Sequence, residues 1–307
     1  MIENKKVLVT GGAGFIGSHL VDSLSEKNEV VVVDNLSSGR REFLNDRANF
    51  IEKDLSNLED VKAHFSDVDF VFHLAANPDV REGLLNPEVL LKQNIILTFN
   101  VLEAMRENSI KRMVFTSSST VYGEAQMPTS EEHPCLPISL YGASKLSCEA
   151  LISSYCHSFE MQSHILRLAN IVGERSTHGV ILDFIEKLRK KPEELEILGN
   201  GSQKKSYLHI SDCIDATFFS LEKSKGKVNI FNIGSKDTIT VERIGKIVSE
   251  EMNLNPKFKF TGGKRGWRGD VPKMLLNLEK IEKLGWNPRY SSEESVREAV
   301  RGCLGKV

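Results

Sequence analysis

The chain is poor in residues that staple, anchor or electrostatically steer a protein. Its five cysteines, Cys135, Cys148, Cys156, Cys213 and Cys303, are odd in number and scattered. None stands in a C-x-x-C pair, so neither a disulfide framework nor a zinc site follows, and no metal is expected. Lys plus Arg total 40 against 42 for Asp plus Glu, a formal net charge of −2. That balance gives no electrostatic case for nucleic acid or an anionic membrane surface. No uninterrupted apolar stretch is long enough to span a bilayer, and no signal-peptide pattern precedes the first strand, so a cytoplasmic location is expected. Internal repeats and low-complexity tracts are absent too. What is there, 40% hydrophobic and 27% charged over 307 residues, suits one large domain or two intimate ones.

Lys6 to Val9 is a short apolar run that ends in Thr10-Gly11-Gly12-Ala13-Gly14-Phe15-Ile16-Gly17, followed by an amphipathic segment. Strand, glycine turn and helix form the context of a phosphate-binding turn: Gly11 for the tight bend, Gly14 for approach to a pyrophosphate, Gly17 for helix–strand packing. A second buried strand, Glu29 to Val33, ends at Asp34. A carboxylate there accepts from an adenosine ribose and repels a 2′-phosphate, which favours NAD over NADP. Arg40 and Arg41 lie near enough to argue the other way. The alternation continues with strands at Asn49 to Glu52, Asp69 to Leu74 and Arg112 to Thr116. Ser56 with Glu59 reads as a capping box, and Asn86-Pro87 as the start of a long helix. Strands alternating with helices predict a parallel, doubly wound sheet. Gly11, Asp34, Asp54, Ala75 and Ser118 all fall at the carboxyl ends of its strands, where ligands bind in such sheets. His73, inside an apolar strand, reads as a hydrogen-bonded core residue.

Tyr141 and Lys145 stand four apart at the start of an apolar-periodic, helix-compatible segment, which puts both on one face. An ammonium beside a phenol favours phenolate and so lowers the Tyr pKa. On a surface helix such a pair is usually only solvated. Here it follows a hydroxyl-rich run, Ser117 to Thr120, at the end of a strand.

Together these residues resemble the extended short-chain dehydrogenase/reductase family. The matching pieces are the glycine turn, Asp34, Asp54-Leu55, His73-Leu74-Ala75-Ala76, Ser117 to Gly123 and Tyr141-x-x-x-Lys145. Asp34-Asn35-Leu36-Ser37-Ser38-Gly39 and Ser118 to Gly123 look like the sugar-nucleotide epimerase branch. Arg175 to Lys191, with His178-Gly179-Val180-Ile181, and Lys205-Ser206-Tyr207-Leu208 are similar to archaeal-type UDP-glucose (UDP-galactose) 4-epimerases. The resemblance implies that Tyr141 takes the proton from a sugar C4 hydroxyl. Lys145 then binds the nicotinamide ribose, and Ser118 hydrogen-bonds the same hydroxyl as Tyr141. It gives the pyrophosphate to Phe15 and Ile16 and the adenosine ribose to Asp34 and Asn35, with Ser37 and Gly39 alongside. Asp54 and Leu55 would meet the adenine, and Leu74, Ala75 and Ala76 the cofactor's passage. Substrate contacts fall to Asn170, Val180, Lys205, Tyr207, Arg265, Asp270 and Met274. The implied chemistry is NAD-dependent inversion at C4 of a UDP-sugar through a 4-keto intermediate, in a homodimer formed through the Tyr141 helix and the one before it.

Ser163 to Leu168 and Val228 to Ile233 complete a seven-stranded, Rossmann-type parallel sheet in this reading. Residues 1–167 with about 206–235 form the NAD-binding part. Residues 168–205 with about 236–307 form a smaller α/β lid over the strand ends. Its helices are Val180 to Arg189, Val241 to Met252, and Ser292 to Arg301 with a Ser291/Glu294 capping box. The loop Gly262 to Asp270 is Gly-rich and basic, suited to an anionic ligand. Two departures stand out: Lys205 where the family often has Arg, and Leu168-Ala169 where many relatives carry an aromatic. Lys is a point charge without bidentate geometry, so the diphosphate grip is expected to come from Lys205 with Arg265. Dehydratases of the family need an Asp-Glu pair where this chain has Ser119 and Thr120, neither an acid near neutral pH. That argues for an epimerase over a dehydratase or decarboxylase. Asp34 disfavours an NADPH reductase, and the presence of both Tyr141 and Lys145 disfavours a non-catalytic dinucleotide sensor.

Overall fold

The computed structural model describes residues 2–80, 82–267 and 269–305. The first half runs β1 (Lys6–Thr10), α1 (Phe15–Leu24), β2 (Glu29–Asp34), β3 (Asn49–Glu52), α2 (Leu58–Lys62), β4 (Phe70–His73), α3 (Glu82–Leu85), α4 (Pro87–Leu90), α5 (Leu97–Glu107), β5 (Arg112–Ser118), α6 (Leu140–Ser158) and β6 (Gln162–Leu168). Then come β7 (Asn170–Val172), α7 (Val180–Lys190), β8 (Glu194–Ile197), β9 (Lys204–Lys205), β10 (Tyr207–His209), α8 (Ile210–Lys223), β11 (Val228–Ile233), β12 (Ile239–Thr240), α9 (Val241–Glu251), β13 (Lys257–Phe260), β14 (Lys273–Met274), α10 (Glu279–Glu282) and α11 (Ser292–Cys303).

Seven strands pair in the order β3-β2-β1-β4-β5-β6-β11, all parallel. Central strands such as Val7-Leu8-Val9 are apolar throughout because both faces are covered. Alternate side chains feed two cores. Val7, Val9, Val30, Val32, Phe70 and Phe72 pack with α1 and α8. Leu8, Val31, Val33, Val71, Met113 and Phe115 pack with α5 and α6 on the other face. A third core joins α7, α9 and α11 to β8 and β10 above the sheet's end. Three small sheets, β10-β7, β12-β9-β14 and β13-β8, knit this upper part.

Strand order reverses between β1 and β4, which opens a crevice at their carboxyl ends. The loops that leave those strands press together: a Cβ on Gly11, whose φ is +71°, would lie 2.6 Å from the Ala75 nitrogen. Gly17 meets the turn from the other side, where a Cβ would fall 2.1 Å from the Gly11 carbonyl oxygen.

Three local expectations are corrected. The helix after β3 is capped by Asn57, which accepts from the Glu59 N–H, while the Ser56 hydroxyl donates to Asp54 Oδ1 at 2.6 Å. The helix begins one residue later than the capping box requires, so the cap position falls to Asn57 and Ser56 stands outside it. Asn86 stands at the cap of α4 without a side-chain cap bond, and the long helix is interrupted by a π-helical stretch, Leu91–Ile96. Helix α8 and the strands β8 and β13 were not anticipated at all. The Ser291/Glu294 capping box forms as expected.

Gly17→Ala forces backbone to shift, and overpacking of this kind costs about 1–3 kcal/mol. A lowered urea or thermal midpoint is expected. An unchanged midpoint would show that the turn yields.

Candidate active site

The turn after β1 is built by its own backbone and by one buried carboxylate. Gly11 N–H donates to Val33 O and Gly14 N–H to Gly11 O. Asp34 Oδ2 accepts from Ala13 N–H at 3.0 Å and Oδ1 from Leu36 N–H at 2.8 Å. Burial pushes the Asp34 carboxyl up, and the backbone N–H bonds pull it back. Helix α1 then starts at Gly14 with no side-chain cap and no acid in its first turn. Its leading N–H groups, on Phe15 and Ile16, suit an anion. Cradle and helix terminus together fit a dinucleotide pyrophosphate.

Around that turn, Asn35 donates to Asp54 at 3.4 Å, and hydrogen bonds from Ser56 hold the Asp54 carboxyl low. Asn35, Ser37 and Asp54 are exposed, Gly39 is half-buried, and Leu55 is buried. Leu74, Ala75 and Ala76, half-buried, line the exit of β4. Arg40 and Arg41 are engaged by other partners. Arg40 pairs with Glu42 at 3.5 Å, and Arg41 pairs with Glu52 and lies over Phe50. His73 is fully buried between the Thr10 and Thr98 hydroxyls, a core residue as expected, and burial pulls it down to about 3.

The Tyr141 pair sits at the first turn of α6, which Ser139 caps by accepting from Gly142 N–H. Lys145 is 4% exposed. Its Nζ donates to Thr116 O at 2.9 Å and lies 4.8 Å from the Phe115 ring centre and 6.0 Å from that of Tyr141. Burial pulls this amine down to about 8, with Cys148 and Glu149 acting in the opposite direction. The phenol behaves otherwise than the four-residue spacing suggests. Burial pushes Tyr141 up to about 12, with the hydrogen bond to Ser118 pulling it back. Ser118 Oγ also accepts from Thr120 Oγ1 at 2.9 Å and Thr120 N–H at 3.2 Å. Phenol, hydroxyl and amine therefore converge at the end of β5, beside the crevice.

The upper residues are placed less uniformly. Asn170 donates to Ser206 O at 3.0 Å, and Val180 opens α7. Lys205 Nζ is bound to buried Asp270 at 2.6 Å and lies 5.4 Å from the Trp267 ring centre. Arg265 donates to Asp270 O and pairs with Glu124. Both cations expected at the diphosphate are thus held by acids. Arg268 of the same loop lies outside the described residues. Tyr207 is buried in the third core, and Met274 is half-buried against the first, its position registered with Lys205. Sequence reasoning missed the buried ion pair Glu149–Arg167, 2.7 Å apart, directly behind Ser117. A Glu four residues after Lys145, on the same helical face, was the available signal.

The sequence pattern of the NAD dependent epimerase/dehydratase family matches residues 7–234. The chain belongs to that family. A putative UDP-glucose 4-epimerase of Methanocaldococcus jannaschii is 36% identical over 96% of this chain and 97% of its own. UDP-glucuronic acid decarboxylase 4 of Arabidopsis thaliana is 30% identical over 98% of this chain and 69% of its own. Among solved structures, a UDP-galactose 4-epimerase is 44% identical with a TM-score of 0.90, covering 98% of this chain and 99% of its own. A UDP-glucuronic acid 4-epimerase from Bacillus cereus, in complex with UDP-glucuronic acid and NAD, is 30% identical with a TM-score of 0.87, covering 97% and 98%. These likenesses bear out the Rossmann-type fold class, the extended short-chain dehydrogenase/reductase resemblance and NAD as the family's cofactor. No helix among the described residues of this epimerase/dehydratase family member is long and apolar enough to cross a membrane, and no described cluster could hold a metal.

Asp34→Ala removes the carboxylate that organises the turn and that is expected to meet the adenosine ribose. NAD affinity should fall by about 1.5–3 kcal/mol, the worth of hydrogen bonds to a charged group, and discrimination against NADP should relax. Binding of both dinucleotides to the apoprotein measures this. An unchanged preference would assign cofactor choice to Arg40, Arg41 or another group.

Proposed function

We propose that the protein interconverts the C4 epimers of a UDP-hexose, UDP-glucose and UDP-galactose, through a transient 4-keto sugar. One observation carries this reading: next to Ser118 stand Ser119 and Thr120, and Thr120 spends its hydroxyl on Ser118 Oγ. Elimination of water needs a proton remover and a proton donor at those places. The buried carboxylates of the region, Glu149 and Asp270, are tied to Arg167 and Lys205. A decarboxylase on the same scaffold remains the second reading, because a decarboxylase is among the relatives. In this proposal residues 1–167 with about 206–235 hold the dinucleotide, and 168–205 with about 236–307 the sugar nucleotide. A homodimer would cover Ile96 and Phe99, both exposed beside α6.

Bound NAD supplies the acceptor and then the donor of the hydrogen exchanged at C4. Tyr141 takes the C4 hydroxyl proton and later returns it to the same oxygen, once the 4-keto sugar has turned in the pocket and presents the other face of C4. Lys145, with its charge retained below about pH 8, stabilises the phenolate that this requires. Ser118, already an acceptor twice over from Thr120, directs its own O–H toward Tyr141 and the sugar oxygen. Asp270 and Glu124 hold Lys205 and Arg265 until a diphosphate competes for them. Anomeric-proton NMR with a panel of UDP-sugars tests the proposal. Interconversion of the gluco and galacto signals supports it, and a UDP-pentose product from UDP-glucuronic acid favours the decarboxylase.

Tyr141→Phe removes only the proton acceptor, and turnover should drop about 10²–10⁴-fold. Fold and NAD content should stay near normal. Near-normal turnover in this variant would move the base elsewhere.

Met274 bears on sugar size. It is unbranched, with three rotatable bonds, and only half-buried, so it can move aside. UDP-glucose and UDP-galactose should be the best substrates, with slow turnover of UDP-N-acetylglucosamine. Met274→Tyr should suppress the N-acetyl reaction selectively. The ratio of kcat/KM for the two substrate pairs measures it, and an unchanged ratio would place Met274 away from the sugar.

A further inference from the structure

Behind the reacting face of β5 lies a continuous buried polar network that the chemistry above does not use. Glu149 is on α6, one turn beyond Lys145. Its carboxylate accepts from the Ser117 hydroxyl and, by both oxygens, from Arg167 of β6, at 3.1 and 3.2 Å from Nε and 2.7 Å from Nη2. The remaining guanidinium nitrogen, Nη1, donates to the Tyr122 hydroxyl at 2.9 Å and to Glu131 O at 3.3 Å. Tyr122 in turn donates to Asn232 Oδ1 at 2.7 Å. Asn232 closes the network by donating from its side-chain amide to Thr129 O at 2.9 Å and Asn277 O at 3.2 Å, and from its backbone N–H to Glu131 Oε1 at 2.8 Å. Ser117, Glu149 and Arg167 are each at most 5% exposed.

The placement matters more than the burial. Ser118 lies between the two residues this network grips. Ser117 immediately precedes it and is held through Glu149. Tyr122 ends the 3-10 turn that Ser118 caps and is held through Arg167, whose guanidinium also lies 4.9 Å from the Tyr122 ring centre. Successive strand side chains point to opposite faces, so holding Ser117 against α6 fixes the rotation of the strand at Ser118 and with it the reach of Ser118 toward Tyr141. The carboxylate belongs to the helix that carries Tyr141 and Lys145. One ion pair therefore sets three reacting groups against one another, across β5, α6 and β6. An Arg–carboxylate fork is suited to this, since it fixes orientation as well as distance.

We propose that Glu149 and Arg167 are positioning residues: their ion pair, acting through Ser117 and Tyr122, clamps the Ser118 turn at hydrogen-bonding distance from Tyr141. The effect on turnover rests on the reaction proposed above, whereas the clamp itself does not. Removing one partner of a buried ion pair destabilises strongly, so the decisive variant is the mildest. Ser117→Ala deletes one donor and leaves Glu149 paired to Arg167.

The test uses the NAD-loaded full chain and compares wild type, Ser117→Ala, Ser117→Thr, Glu149→Gln and the Ser117→Ala/Glu149→Gln double variant. Misplacement of a reacting group by about 1 Å costs up to about 10²-fold. Ser117→Ala should lower kcat about tenfold within that bound, with KM, NAD content and melting temperature nearly unchanged. Ser117→Thr, which keeps the hydroxyl, should recover most of the loss. In the Glu149→Gln background Ser117→Ala should cost little more, because both act through one contact. Native-state hydrogen exchange reads the clamp without substrate: amides of residues 118–123 should exchange faster in Ser117→Ala, while those of β1 do not. Faster local exchange in a protein whose wild type turns over no UDP-hexose would sustain the clamp and overturn the proposed reaction. Unchanged kcat and unchanged local exchange in Ser117→Ala would overturn the clamp. So would a loss of kcat that only follows a fall in melting temperature or NAD content.

Discussion

A charged amine almost sealed from water sets the terms for the site. Taking an ammonium out of water costs several kcal/mol unless the surroundings replace its solvation. At Lys145 they do so from three sides: the Thr116 carbonyl, the face of Phe115, and the Glu149 carboxylate one turn along the helix. The sheet makes the first of these available. β4 stops at His73, opposite Phe115, while β5 runs three residues further beside β6. Past Phe115 the β4 side of β5 is therefore open, and Thr116 can offer its oxygen to the lysine instead of to a neighbouring strand. The same early stop of β4 turns the chain aside at Leu74 and creates the crevice against Gly11. Ligand space and lysine anchor have one cause, the unequal length of two adjacent strands.

The framework was readable in the sequence because it depends on short-range signals. Apolar runs, glycine spacing and the carboxylates Asp34 and Asp54 at two strand ends located every strand of the large sheet and the crevice with them. Errors came at element boundaries, as when α2 begins one residue later than the capping box requires and leaves Asn57 to cap it. Two-residue strands such as β9, β12 and β14 have no period to detect, and they exist only because the upper part brings them together. Helix α8 lies in a chain segment the reading passed over, though its apolar face packs on the same core as α1. The direction of the Tyr141 shift was not legible either. Spacing shows that an ammonium is near, but only the fold shows how deeply the phenol is buried. The Glu149–Arg167 pair joins residues 18 apart in sequence that meet only when β6 docks beside β5.

In the proposed reaction, chemistry and selectivity fall to different parts of the chain. The residues proposed to handle the proton, Ser118, Tyr141 and Lys145, hang from β5 and α6, which are locked to the sheet by buried hydrogen bonds. The residues proposed to meet the sugar nucleotide stand on β9, β14 and the loop before it, held by two-residue strand pairs, by the largely buried Lys205–Asp270 pair and by the exposed Arg265–Glu124 pair. Partly exposed ion pairs contribute little to stability and exchange partners readily. An incoming diphosphate can therefore take Arg265 from Glu124 without disturbing the sheet, whereas drawing Lys205 from buried Asp270 would cost more. Relatives with different sugar substrates share this fold closely, as this division allows: the upper residues can vary in size and charge while the proton-handling geometry below stays fixed by its own buried contacts.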